Sequence, residues 1–376
     1  MWTPADSGFM AMALQLAAQG LYSASPNPRV GCVLVRDGRV VGTGWHQKTG
    51  EPHAEVYALR EASGAARGAT AYVTLEPCSH HGRTPPCVEG LIAAGVARVV
   101  IAMQDPNPLV SGKGIAQLLA AGIVVENGLM EAQAREQNIG FVRRMTCGMP
   151  YVRSKVGMSL DGRTALNNGV SQWITGPEAR RDVQHWRARS CAVLTGIATV
   201  LADDAQLNVR EVFLSAHAEP IAGEGQVVRQ PLRVVLDSHL RMPLSAKMLV
   251  GGKVLIYTAS GNADKIAALA NVGVTVSVFS DAHGKVDLLA MLKDLAQRGI
   301  NEVLVEAGSV LNGALLQAGL IDELLLYIAP QLLGDMARGM AGLGVVTQLD
   351  QRIELQWQDV RQVGNDLRIL AKVKRK

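Results

Sequence analysis

The sequence predicts an α/β protein built as two layered units in tandem. Short apolar runs alternate with amphipathic stretches along nearly the whole chain, the pattern that builds a sheet with helices on its faces. The length of 376 residues exceeds what a single core usually organises. Residues 146–150, which hold Gly148 and Pro150, interrupt the alternation and divide the chain into 1–148 and 149–376.

In the first unit, residues 9–18 read as a helix. Residues 30–35 and a second run from Val40 flank Asp37-Gly38, a turn signal, and predict a hairpin. Residues 53–62 have helical spacing at Val56, Leu59 and Arg60, and residues 71–75 form a strand whose end delivers Pro77-Cys78. Residues 88–94, 99–103, 115–121, 123–125 and 130–140 then alternate helix and strand.

The second unit opens with a strand at 151–158 and a helix at 177–189, with Pro177 in its first turn, followed by a buried strand at 192–195. Residues 211–230 have no periodicity and hold Gly223 and Gly225, which predicts a mobile surface loop. Strands at 233–236, 254–257, 274–278 and 303–306 alternate with helices at 264–270, 287–297 and 311–318, a second doubly wound unit. Residues 324–328 and 367–373 add strands, and the halves share no internal repeat. Ligands in such sheets bind outside the strand ends.

Composition narrows the function classes. A net charge of +4 with 4% aromatics argues against a nucleic-acid binder, which needs a basic path and stacking side chains. The basic residues of 372–376 read as a solvated terminus. No run approaches the roughly 20 apolar residues of a membrane span. The apolar stretch at 9–18 follows Asp6 without a Lys or Arg, unlike a signal peptide. Cys32, Cys78, Cys87, Cys147 and Cys191 have no disulfide-framework spacing, which suits a reducing cytoplasm.

The chemistry concentrates first at His53, Cys78 and Cys87. One imidazole and two thiols suit zinc, and three protein ligands leave a tetrahedral position open. Glu55 follows His53 by two residues, about 200° round an ideal helix, so the two converge only at a helix tip. A helix N-terminus there also favours thiolates. A carboxylate that is not a ligand can shuttle protons to a leaving amine. His-x-Glu followed by Pro-Cys is the signature of zinc-dependent nucleobase deaminases, in which the second cysteine follows after two residues. Here eight intervene. A structural four-ligand zinc using His80 or His81 is the rival reading, and Asn27 before Pro28 fits either a turn or a ligand contact.

In the second half no Gly-x-Gly-x-x-Gly follows a strand. The run Val305-Glu306-Ala307-Gly308-Ser309-Val310-Leu311-Asn312-Gly313 goes from strand to glycine to helix start, where backbone N–H groups can hold a phosphate. An ordinary strand-helix turn reads the same way.

Beyond these patterns, Pro26-Asn27-Pro28-Arg29-Val30-Gly31, Gly44-Trp45-His46, His53-Ala54-Glu55, Gly82-Arg83-Thr84-Pro85-Pro86-Cys87, Asp105-Pro106-Asn107-Pro108 and Gly112-Lys113-Gly114 resemble the bifunctional deaminase-reductase family of riboflavin biosynthesis. The run from Lys155 to Arg163, Ser171-Gln172-Trp173-Ile174-Thr175, and the stretch from Thr199 to Asp203 with Asn208-Val209-Arg210 resemble its reductase half. The resemblance implies a cytidine-deaminase-like three-layer domain at 1–148 and a dihydrofolate-reductase-like doubly wound domain at 149–376. It implies one Zn2+ on His53, Cys78 and Cys87, Glu55 as the catalytic residue, and Asn27 facing the pyrimidine. It places NADPH on Gly157, Trp173, Thr199, Asp203, Ser238 and the turn formed by Gly308, Ser309, Val310, Leu311, Asn312, Gly313 and Ala314. Ser171, Arg187, Leu207, Arg210 and Glu306 would hold the substrate, and Lys155 or Asp203 would assist proton transfer. Without the family, Arg187 reads as an ion pair on the helix that also holds Arg180 and Arg181.

The implied function is hydrolytic deamination of a diamino-hydroxy-phosphoribosylamino-pyrimidine, then NADPH reduction of its ribosyl group to a ribityl chain. The expected partner is this small molecule, with no nucleic acid and no membrane, in a cytoplasmic homo-oligomer. The alternatives are a deaminase of another nucleotide or of a tRNA base, and a nucleotide-sensing module with a dead metal site. Glu55 argues against the sensor, which has no need of a proton shuttle.

Overall fold

The computed structural model describes residues 2–79, 86–210 and 229–375. His80, His81 and nearly all of the loop expected at 211–230 lie outside the described residues. The chain divides into two compact units, Met1–Gly148 and Met149–Lys376.

The first unit runs α1 (Pro4–Ala18), β1 (Gly31–Arg36), β2 (Arg39–Trp45), α2 (Ala54–Ala62), β3 (Thr70–Val73), α3 (Cys87–Ala93), β4 (Arg98–Ile101), α4 (Lys113–Ala120), β5 (Val124–Asn127), α5 (Glu131–Gln137) and α6 (Ile139–Cys147). Thr3 and Asp6 form a capping box that starts α1, and Pro4 sits in its first turn. The sheet order is β2-β1-β3-β4-β5. The first three strands pair antiparallel and the rest parallel. Asp37 and Gly38 both have positive φ, 52° and 74°, as a two-residue hairpin turn requires. Alternation along β1 sends Cys32 and Leu34 into the core beneath α2 and α3, and Val33 and Val35 into the core beneath α1. Three layers result.

Two glycines on β2 bring α2 unusually close. An added Cβ would lie 2.2 Å from the Ala58 carbonyl oxygen at Gly42 and 2.2 Å from that of Ala54 at Gly44. The start of α2 is thereby held level with the end of β2. Residues 130–140, expected as one helix, break at Asn138, whose buried amide accepts from the Arg29 N–H (2.7 Å) and donates to the Arg29 carbonyl (2.9 Å). That exchange pins the Asn27 loop from 109 residues away.

The second unit runs β6 (Tyr151–Ser159), β7 (Arg163–Ala165), α7 (Pro177–Arg189), β8 (Ala192–Gly196), α8 (Ile197–Asp203), β9 (Leu232–Leu236), β10 (Val254–Thr258), α9 (Ala263–Asn271), β11 (Val274–Val278), α10 (Leu288–Gln297), β12 (Glu302–Val305), α11 (Ser309–Gln317), β13 (Glu323–Ala329), β14 (Arg338–Gly339), β15 (Leu355–Val363) and β16 (Asp366–Val373). Its nine-stranded sheet has the order β11-β10-β9-β8-β12-β6-β13-β16-β15, parallel through β13 and antiparallel beyond. Cores on both faces complete a doubly wound unit. The strand order reverses at β8, β12 and β6, which leaves a crevice outside their carboxyl ends. No helix among the described residues is long and apolar enough to cross a membrane.

Candidate functional sites

The metal-ligating set assembles from three elements of the first unit. His53 is the N-cap of α2, Glu55 lies in that helix's first turn, and Cys87 opens α3. Cys78 arrives from the loop after β3. His53 Nδ1 is 3.2 Å from Cys87 Sγ and 3.5 Å from Cys78 Sγ, and the three donor atoms lie within 4.8 Å of one another. Tetrahedral zinc at about 2.1 Å from nitrogen and about 2.3 Å from sulfur demands such spacing. The Cys87 N–H donates to Cys78 Sγ (3.3 Å). The Cys78 thiol is pulled down to about 4 by its hydrogen bond from Cys87, with His53 adding to that effect against burial. Cys87 is pushed up by the same interaction. The pairing thus favours the thiolate at Cys78, the form in which a cysteine ligates a metal.

Glu55 is 3% exposed, and its Oε2 has no hydrogen-bond partner among the described residues. Burial, followed by the charge of Cys78, raises it to about 7. An orphaned carboxylate oxygen beside three soft donors fits a site built for a cation and a proton-exchanging ligand.

A second feature of this site is His46. It is buried, which depresses its pKa, and its ring meets that of His53 edge-on at 5.4 Å. Its Nδ1 is 3.1 Å from the Pro52 carbonyl oxygen, so Nδ1 donates there and Nε2 accepts from Asn27 Nδ2 at 3.1 Å. Asn27 is thus oriented by His46. The motif Gly44-Trp45-His46 carried the family resemblance without disclosing this task.

In the second unit, Lys155, Arg187 and Glu306 meet at the strand crossover. Glu306 follows β12 and accepts from Arg187 Nε (2.5 Å) and Nη2 (3.0 Å), with Lys155 Nζ 3.5 Å away. Thr195 Oγ1 donates to the Glu306 carbonyl (2.7 Å). Burial raises the Glu306 pKa, but Arg187 and Lys155 outweigh it and hold the group down to about 2. Arg187 also donates to the Asn208 carbonyl (3.0 Å). Its ion pair is with Glu306 rather than with a residue of its own helix, the alternative to the substrate role that the resemblance implies. Arg187 thereby holds the Glu306 carboxylate in place beside Lys155.

The remaining expected residues separate into two groups. Gly308 precedes α11, and a Cβ built there would meet nothing within 4 Å, so the Ser309 end of the helix faces open space. Val310 is 84% exposed; Leu311 and Ala314 are half-buried. Trp173 is exposed, with the Arg180 guanidinium 4.4 Å over its ring. Gly157 lies on β6 against Thr175. Ser171 is half-buried, Thr199 and Asp203 lie on α8, and Ser238 follows β9, its Oγ accepting from the Val286 N–H (3.2 Å). Arg210 is exposed, its backbone N–H donating to Gln184 Oε1 (3.1 Å). Beside it, Gln230 takes a hydrogen bond from the Val209 N–H (2.9 Å) and returns one to its carbonyl (3.1 Å).

Three other residues expected to touch ligands are committed to the protein interior. The Asn312 amide is spent on Ser154, the Ala307 carbonyl and the Met340 carbonyl. A Cβ at Gly313 would lie 2.3 Å from the Gly342 carbonyl oxygen, so this glycine permits helix packing. The Leu207 side chain is buried in the core at a positive φ of 52°.

The folds and sites define a protein class: a deaminase-type metal unit joined in one chain to an α/β reductase unit. A protein-family model described as the cytidine and deoxycytidylate deaminase zinc-binding region matches residues 3–103, and the RibD C-terminal domain matches residues 150–369. The Escherichia coli riboflavin biosynthesis protein RibD is 50% identical over 96% of this chain and 98% of its own. A structure of Acinetobacter baumannii RibD superposes with a TM-score of 0.90 at 48% identity, covering 99% of each chain. The Thermotoga maritima diaminohydroxyphosphoribosylaminopyrimidine deaminase/5-amino-6-(5-phosphoribosylamino)uracil reductase gives a TM-score of 0.84 at 31% identity, covering 98% of this chain and 99% of that one. The chain belongs to the bifunctional RibD family of riboflavin biosynthesis, an enzyme with deaminase and reductase activities that acts on a small molecule.

Proposed function

We propose that the chain performs two successive steps on one phosphoribosylated pyrimidine. Its 1–148 domain hydrolytically deaminates the diamino-hydroxy-phosphoribosylamino-pyrimidine, and its 149–376 domain reduces the ribosyl group of the product to a ribityl chain with NADPH. The observation that carries this reading is the buried Glu55 carboxylate, with one unpartnered oxygen beside His53, Cys78 and Cys87. The printed name of the Thermotoga maritima relative, which states both reactions, supports the substrate.

His53, Cys78 and Cys87 would hold the zinc, which when bound would supply Lewis acidity to a water molecule facing the amine-bearing ring carbon. Glu55 accepts the proton given up as that water attacks and delivers it to the departing amine nitrogen, so ammonia leaves neutral. Asn27, oriented by His46, hydrogen-bonds the pyrimidine edge. In the reductase domain NADPH supplies the hydride, and Gly308 and Ser309 offer backbone N–H groups to a phosphate. Gly157, Trp173, Thr199, Asp203, Ser238 and Val310 line the same cofactor, with Leu311 and Ala314 behind them. Glu306 orients the substrate, held in place by Arg187. Lys155 or Asp203 donates the proton that opening the ribosylamine requires, and Ser171 and Arg210 take the phosphoribosyl end. The enzyme works in the cytoplasm as a homo-oligomer without nucleic-acid or membrane partners; the exposed Trp357 and Val360 on edge strand β15 support self-association.

The order of steps gives the test. With the diamino substrate and NADPH, the wild-type chain should release ammonia and then oxidise NADPH. The Glu55→Gln variant should do neither, yet oxidise NADPH normally when given the deaminated uracil compound. Ammonia release by that variant at near-normal rate would remove Glu55 from its assigned role.

A further inference from the structure

Two residues before Cys78 lies a buried carboxylate that the chemistry above does not use. Glu76 is 3% exposed and accepts four backbone N–H groups: Asp105 (3.1 Å) and Gly112 (2.9 Å) on Oε2, Gly114 (2.9 Å) and Ile115 (3.2 Å) on Oε1. Its own N–H donates to the Met103 carbonyl (3.0 Å). The glycine-rich start of α4 is thus an anion nest filled from within, by a side chain 36 to 39 residues earlier in the chain. A Cβ on Gly114 would lie 2.2 Å from the Pro77 carbonyl oxygen, so the same helix start presses on the residue between Glu76 and Cys78. Proline has a fixed φ, which leaves little freedom between the anchored carboxylate and the thiol.

We infer that Glu76 is the positioning residue of the Cys78 arm, locking the loop after β3 to α4 so that Cys78 Sγ meets His53 and Cys87 at metal-binding distance. This rests on the zinc reading of that group. An ordinary helix cap needs one local acceptor for one or two N–H groups. Here a distant carboxylate satisfies two helix donors and two loop donors, and the residue after next is a ligand. Groups that orient a metal ligand typically carry about 10- to 100-fold of metal affinity. In Glu76→Gln the amide NH2 faces backbone donors, and the arm is released. In Gly114→Ala the carboxylate is retained while the added Cβ pushes the arm at the Pro77 carbonyl (2.2 Å) and crowds Glu76 Oε1 (3.2 Å).

The test uses the full chain loaded with one equivalent of zinc, transferring it to a chromogenic chelator, with cobalt(II) substitution to read thiolate-to-metal absorption. Leu129→Ala, a core substitution on the opposite face of the same sheet, controls for general destabilisation. Glu76→Gln and Gly114→Ala should each weaken zinc retention about 10- to 100-fold and alter the cobalt spectrum. Leu129→Ala should lower the melting temperature and leave both readouts unchanged. Wild-type zinc retention in a folded Glu76→Gln protein overturns the inference, and so does wild-type retention in Gly114→Ala should Glu76→Gln fail to fold. A wild-type chain that holds no zinc would instead bring down the metal reading beneath it.

Discussion

Glu306 is a mostly covered acid whose two cationic neighbours keep it charged, and that gives it a pH signature. Its folded-state pKa of about 2 lies below the ordinary 4.5, so its contribution to stability is complete above about 4.5 and is lost as the pH falls toward 2. Thermal unfolding of the wild type should show this acid slope, and Glu306→Gln should flatten it while costing on the order of 3–5 kcal/mol at neutral pH by stranding Arg187. Arg210→Ala should raise KM for the phosphorylated substrate and leave NADPH affinity intact, because a guanidinium reads phosphate in ground and transition states alike. An equal defect with the dephosphorylated substrate would show that Arg210 does not read phosphate. Cys78→Ser or Cys87→Ser should lower zinc content, since a hydroxyl is a poor substitute for a soft thiolate. The zinc set was legible in the sequence because His, Cys and Cys in that order have little other use near a His-x-Glu pair. The pairing of Arg187 with Glu306, 119 residues apart, left no such trace, and neither did the grip of His46 on Asn27.

Among the elements, α11 is one whose sequence pattern serves both an open helix start and close packing. Strand, glycine and helix start leave the Gly308 end of α11 facing open space, while Asn312 and Gly313 in the same run pack against the protein. Gly313→Ala should therefore cost about 1–3 kcal/mol, the range for overpacking, by forcing α11 off the backbone at Gly342. Chemical denaturation measures it, and a change under about 0.5 kcal/mol would mean the segment yields freely. Strand β15 escaped notice for a different reason. Its exposed residues include Gln356, Gln358, Arg361 and Gln362, and so polar a run at a sheet edge resembles a loop until its partner β16 is seen. The break between α5 and α6 was equally hidden, because only the distant backbone of Arg29 explains Asn138.

For the whole molecule, the two-unit organisation followed from length and the interruption near residue 148, and each unit has cores on both faces of its own sheet. A fragment beginning at Met149 should fold, bind NADPH and reduce the deaminated uracil compound with a KM near that of the full chain. A soluble, folded fragment without that activity would mean the reductase needs groups from residues 1–148. The clasp between Val209 and Gln230 has a consequence for engineering. The chain departs and returns at one point, so a guest domain with adjacent termini can be grafted between Arg210 and Arg229 without prising the sheet apart. Loop closure grows more costly only logarithmically, by about 0.6 kcal/mol per doubling, so such a chimera should melt within a few degrees of its parent. The same clasp makes the second unit a host for insertion, its ends already held together by protein contacts rather than by the guest.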